Sequence, residues 1–167
     1  MKKLILLGLL VTLPLGLFAQ FYLGGSALYK EDPKYLQDAQ PGDQTFFNDL
    51  ALGAEARLKL GLIEGSALAL YELDNAFDVY LNVGVSFDLA LLTIGAGIGP
   101  NFIIQADPDA PEPTSFGFNG RVHADLNLGD IKISAYWLIL VESLSYQDFS
   151  DNLTAGNIGV SVLFKLM

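Results

Sequence analysis

The chain has 167 residues, 51% of them apolar and 17% charged, with a formal net charge of −10. That length suits one domain, and that apolar content excludes a disordered chain. The absence of cysteine excludes disulfides, thiolate metal sites, cysteine nucleophiles and an acylated N-terminal cysteine.

Residues 1–19 have the layout of a secretory signal peptide. Lys2 and Lys3 form a basic start, and Leu4 to Leu13 is an almost unbroken apolar run. Pro14 and Gly16 break that run, and Ala19 is a small residue before the expected cut. The remainder, 20–167, is expected to form one domain. It carries seven basic and nineteen acidic residues, a net of −12. That surplus disfavours nucleic acid and anionic headgroups as partners, because both attract positive charge. After residue 19 no apolar run approaches the ~20 residues of a membrane helix.

From residue 21 onward the hydrophobic period is two, the period of a strand with one apolar face. Eight segments are predicted: 21–30, 50–62, 66–74, 76–89, 91–105, 115–128, 131–142 and 154–166. Segment 31–48, EDPKYLQDAQPGDQTFFN, and segment 106–114, ADPDAPEPT, have the Pro, Asp and Gly content of loops. A third long loop is expected at 143–153. Between them fall short connections: IEGS at 63–66, Leu89-Ala90, and Gly129-Asp130, which suits a type II′ hairpin. Asp74-Asn75 is a tight turn where a long loop would continue the alternation. Long loops thus gather at one end and short turns at the other.

Each strand separates its residues cleanly. In 77–89, Phe77, Val79, Leu81, Val83, Val85, Phe87 and Leu89 share one face. Segment two places Leu50, Leu52, Leu58, Leu60 and Leu62 against Glu55, Arg57 and Lys59. Segment six places Phe116, Phe118, Val122, Leu126 and Leu128 against Asn119, Arg121, His123, Asp125 and Asn127. Segment seven places Ile131, Ile133, Trp137, Ile139 and Val141 against Lys132, Ser134, Tyr136 and Glu142. The polar face also holds Gly53, Gly61, Gly84, Gly95, Gly97, Gly99, Gly117 and Gly159. Glycine is a poor choice for an exposed strand face. Inside a narrow barrel it makes room for the large side chains Arg57, Tyr80, Arg121, His123 and Tyr136. The polar face is therefore assigned to the interior and the apolar face to lipid. Phe77 and Phe87 then lie ~34 Å apart along the strand, or ~26 Å vertically at a tilt of about 40°, close to a ~25 Å apolar band.

Residues 157–164, NIGVSVLF, read polar-x-Gly-x-x-apolar-x-apolar. This resembles the C-terminal signal of outer-membrane barrels, although the chain continues through Lys165-Leu166-Met167. By architecture, the chain after residue 19 resembles the small eight-stranded bacterial outer-membrane barrels of the OmpX, OmpW and OmpA-membrane-domain type. The resemblance implies an all-β, eight-stranded antiparallel up-and-down transmembrane barrel in the bacterial outer membrane. It implies outer-membrane lipid and the barrel-assembly machinery, met through the last strand, as partners of a monomer.

Within such a barrel, Glu55, Arg57, Lys59, Asp78, Arg121, His123, Asp125, Lys132 and Glu142 are expected to form a structural lumenal charge network. Lys30, Glu72, Asp88 and Lys165 are expected to join it. With 129–130 as hinge, His123 faces Tyr136 and Asp125 faces Ser134. A His-Asp-Ser set invites comparison with acyl transfer, but it points away from lipid and has no glycine elbow or oxyanion motif. No catalytic, metal or cofactor site is assigned. The expected role is structural or loop-mediated binding. The alternatives are a narrow OmpW-like conduit for small or apolar solutes, with a wall gap sought near 66–74, and a secreted soluble lipocalin-like barrel.

Overall fold

The computed structural model describes residues 19–30, 50–72, 76–105, 114–141 and 156–167. They form eight strands: β1 (Ala19–Tyr29), β2 (Leu50–Leu60), β3 (Ile63–Glu72), β4 (Ala76–Leu89), β5 (Leu92–Gln105), β6 (Thr114–Leu128), β7 (Ile131–Val141) and β8 (Asn157–Lys165). Each pairs antiparallel with its neighbours in the sequence, and β1 pairs with β8 to close the barrel. Closure leaves no sheet edge to template further pairing. The expected all-β, eight-stranded up-and-down barrel is therefore present. The expected signal region before Ala19, the three long loops, Asp74-Asn75 and Glu142 lie outside the described residues. Ala19, the last residue before the expected cut, already pairs with Leu60 in β1 and β2.

Three two-residue turns sit at one end. The pairs Leu60↔Ile63, Leu89↔Leu92 and Leu128↔Ile131 close them. The first corrects the expectation of a turn at IEGS: the chain reverses at Gly61-Leu62, and β3 begins three residues before the predicted strand. Glu64-Gly65-Ser66 imitates turn composition, but Gly61 supplies the left-handed φ of +65° that the reversal requires. Gly61 therefore serves the turn and not the lumenal space assigned to it. Gly129 does the same at φ +69°, and Ala90 takes φ +56° without glycine's freedom. Turn carbonyls also stitch the hairpins together. Leu62 O accepts from Ser86 N at 2.9 Å, Leu91 O from Asn127 N at 2.7 Å, and Asp130 O from Lys165 N at 2.8 Å.

The alternation of faces holds around the cylinder. Among the described residues, no outward strand position carries a charge. Val83, Phe87, Ile98, Phe116 and Val160 are each more than half exposed on that side. Glu55, Arg57, Asp78, Asp125 and Lys132 are buried inside. Large apolar residues outside and ions inside invert the arrangement of a water-soluble domain.

The interior is not uniformly polar. Leu28, Ala51, Leu68, Leu70, Tyr80, Tyr136 and Leu138 form one buried apolar cluster toward the long-loop end, with Leu140 packed against it. This septum draws its side chains from β1, β2, β3, β4 and β7. On its long-loop side Lys30 pairs with Glu72, and with Asp78 at 2.8 Å. On its short-turn side lies the main charge network.

Candidate functional site: the lumenal charge network

Adjacent inward positions on neighbouring strands put side chains in rows across the barrel wall. One such row runs Gly95↔His123↔Tyr136↔Gly159 through β5, β6, β7 and β8. The glycines are there for volume. A β-carbon at Gly95 would collide with the His123 imidazole, and one at Gly159 with the Tyr136 ring. Eight strands leave an interior just wide enough for side chains, so two large rings demand two empty neighbours.

Glu55 is the hub. Arg57 donates to its Oε1 from Nε at 2.9 Å and from Nη2 at 2.7 Å. Arg121 donates to Oε2 from Nη2 at 3.1 Å, and its Nη1 lies 2.8 Å from Oε1. Ser161 Oγ donates to Oε2 at 2.5 Å and, with its proton so engaged, can only accept from Ser26 Oγ at 3.0 Å. Ser26 in turn shares a 2.8 Å hydrogen bond with Tyr136 Oη. Arg121 lies 4.2 Å above the Tyr136 ring, so the ring quadrupole adds to its stabilisation.

A second anchor is Asp125. Its Oδ2 accepts from Arg57 Nη1 at 2.8 Å and lies 3.3 Å from Lys132 Nζ. Lys132 also sits 4.3 Å from the Tyr22 ring centre. Removal of either charge of such a buried pair leaves the other uncompensated, which costs more than the pair itself contributes. The network ties together β1, β2, β6, β7 and β8 through side-chain contacts.

Of the nine residues expected in the network, five join it directly: Glu55, Arg57, Arg121, Asp125 and Lys132. His123 lies at its edge, with Nε2 3.8 Å from Asp125 Oδ2. Lys59 belongs to a separate cluster at the short-turn mouth, 2.5 Å from Asp88, which also accepts from Thr93 at 2.6 Å. Asp78 lies beyond the septum with Lys30 and accepts from Tyr80 Oη at 2.8 Å. Glu142 falls outside the described residues. Lys165 is corrected: it stands exposed past the last lumenal layer of β8 and is no part of the buried network.

One member was missed. Glu64 is buried, 3.2 Å from His123 Nε2 and 3.6 Å from Arg57 Nε. Its assignment to a turn hid it. The signal that could have found it is parity, since Glu64, Ser66, Leu68, Leu70 and Glu72 all share the inward face.

As for the acyl-transfer set, Asp125 does face Ser134 and His123 does face Tyr136. The Ser134 hydroxyl accepts from Arg57 at 3.2 Å, and Asp125 is occupied by Arg57 and Lys132. Among the described residues, no group of three or more acidic, histidine or cysteine side chains could hold a metal ion.

Among the described residues the wall has one interruption of pairing, and it does not lie in the described part of 66–74, residues 66–72. There β3 pairs continuously with β2 and, from Ile63 to Tyr71, with β4. The interruption lies between β4 and β5, where pairing stops after Tyr80↔Asn101 and resumes at Val83↔Ile98. Pro100 sits in that gap and brings no N–H to the ladder. A groove of about 510 Å³ lies over the site, lined by residues that include Phe21, Leu58, Leu81, Ile98 and Pro100. Comparison with protein-family models and with curated proteins finds no match.

Proposed function

We propose that this chain is an integral outer-membrane β-barrel with a side-chain-filled lumen, acting as a structural element of the membrane or as a platform for binding through its loops. The observation that carries the reading is the inverted distribution of side chains. Apolar residues cover the outside of a closed cylinder whose buried ions are paired along its axis. In water, that exposed apolar area would drive association. In hydrocarbon it is the favourable face. The septum of Leu28, Leu68, Leu70 and Leu138 supports a closed lumen, because buried aliphatic side chains crowd that layer and offer a passing ion nothing in place of its hydration. No enzymatic activity is assigned.

On this reading outer-membrane lipid surrounds the barrel, and the assembly machinery would engage β8. Residues 1–19 would direct export. The test is fractionation of expressing cells, followed by gel electrophoresis of the membrane fraction before and after boiling. A detergent-resistant band that shifts on heating is expected. Recovery of the chain as a soluble monomer without detergent would refute the proposal.

A second reading is favoured by the ladder break at Gly99-Pro100 and the apolar groove over it. A conduit for small apolar molecules would use that seam, and a bulky Ile98→Trp substitution in the groove would then abolish uptake.

A further inference from the structure

Below the septum, four strands enclose a small polar cavity. Glu64 and Ser66 of β3, Asn82 of β4, Gly97 of β5, and Arg121 and His123 of β6 line it. It leaves about 10 Å³ for the centre of a water-sized sphere. That is about the least volume that holds one water molecule.

Several lining atoms have no hydrogen-bond partner within the protein. They are both amide atoms of Asn82, Glu64 Oε2 and Arg121 Nε. Asn82 is 5% exposed and Arg121 3%, so bulk water does not serve them. A buried polar group left unsatisfied loses its hydration with nothing in return. Several facing one cavity point to a resident ligand.

The chemistry of the free atoms identifies it. Asn82 presents one donor and one acceptor in either orientation of its amide. Arg121 Nε–H adds a donor and Glu64 Oε2 adds an acceptor. An anion would find Glu64 against it, and a cation would find Arg121. Only a group that both donates and accepts matches the set, and the volume admits nothing larger than water. We infer that the cavity is a built site for a single buried water that links Glu64 of β3, Asn82 of β4 and Arg121 of β6 across the lumen. The inference does not depend on what surrounds the barrel.

The experiment uses the whole chain refolded in detergent micelles. Water-to-protein cross-relaxation spectra are expected to show cross-peaks from the Asn82 side-chain amide to a long-lived water, with the sign of dipolar contact. Gly97→Ala places a methyl group 3.2 Å from Val83 O and 3.5 Å from Asn82 Cβ, a fit that needs only a slight local shift. It should abolish those cross-peaks while leaving the backbone amide spectrum of the barrel otherwise unchanged. Asn82→Leu, which removes the donor and acceptor together, is read at the Arg121 Nε–H instead, where it should abolish the cross-peak to the slow water, and it serves if Gly97→Ala fails to refold. Absence of a slow water at Asn82 in the native chain would overturn the inference. So would survival of the slow water in both variants, or displacement of the Asn82 and His123 resonances by fluoride or sodium, ions no larger than water, which would make the site an ion site.

Discussion

Tyr136 and Gly159 are direct partners across β7 and β8, and the phenol ring fills the volume that any side chain at 159 would need. The ring's position carries two further contacts, the hydrogen bond to Ser26 and the stacking beneath Arg121. Gly159→Val should therefore expel the ring and cost about 1–3 kcal/mol by overpacking. Urea unfolding of the refolded barrel measures it. A loss below about 0.5 kcal/mol would show that the ring does not depend on that space.

Glu55→Ala should be among the most damaging single changes in the barrel. It strands the buried Arg121, leaves Arg57 with Asp125 alone at close range, and removes the acceptor of Ser161. Loss of one partner of a buried pair costs about 3–5 kcal/mol. The same urea titration tests it. Replacement of Asp88, which is 54% exposed at the mouth, should cost far less, because solvent screens exposed pairs.

Ala90 is the one non-glycine residue with positive φ among the described residues. Its turn has the geometry that Gly61 and Gly129 provide elsewhere at the same end. Ala90→Gly should stabilise the barrel by about 0.5–1 kcal/mol, the relief of a left-handed β-carbon less glycine's added chain entropy. A shift of the unfolding midpoint to higher urea is expected. A shift to lower urea would mean that the turn is not strained.

The strand order, the inward charges and the His123–Tyr136 and Asp125–Ser134 pairs were legible in the sequence, because a two-residue period and one firm turn at Gly129-Asp130 fix register along both strands of a hairpin. The septum was not. Leu68, Leu70 and Leu138 are aliphatic, and alternation alone assigns aliphatic residues to the lipid side. In β3 the run ALALY offers apolar residues on both parities, so only the paired strands decide which leucines turn inward. Glu64 was lost for a related reason. Gly65 and Ser66 imitate a turn, whereas the real reversal uses Gly61 beside an apolar Leu62.

The septum gives its own prediction. Leu68→Ala with Leu138→Ala should cost about 2–5 kcal/mol for each leucine. It should also join the two polar compartments. Planar-bilayer recordings of the native chain should show no stable large steps, whereas the double variant should leak ions. Large steady steps from the native chain would refute a closed lumen.

The central claim is that hydrocarbon meets the outward face. Val83 stands mid-strand on that face and is 66% exposed. The chain has no cysteine, so Val83→Cys accepts a single fluorophore without competing sites. In reconstituted vesicles, lipids brominated along their acyl chains should quench that fluorophore and aqueous iodide should not. Quenching by iodide with no effect of brominated lipid would place position 83 in water and contradict the account.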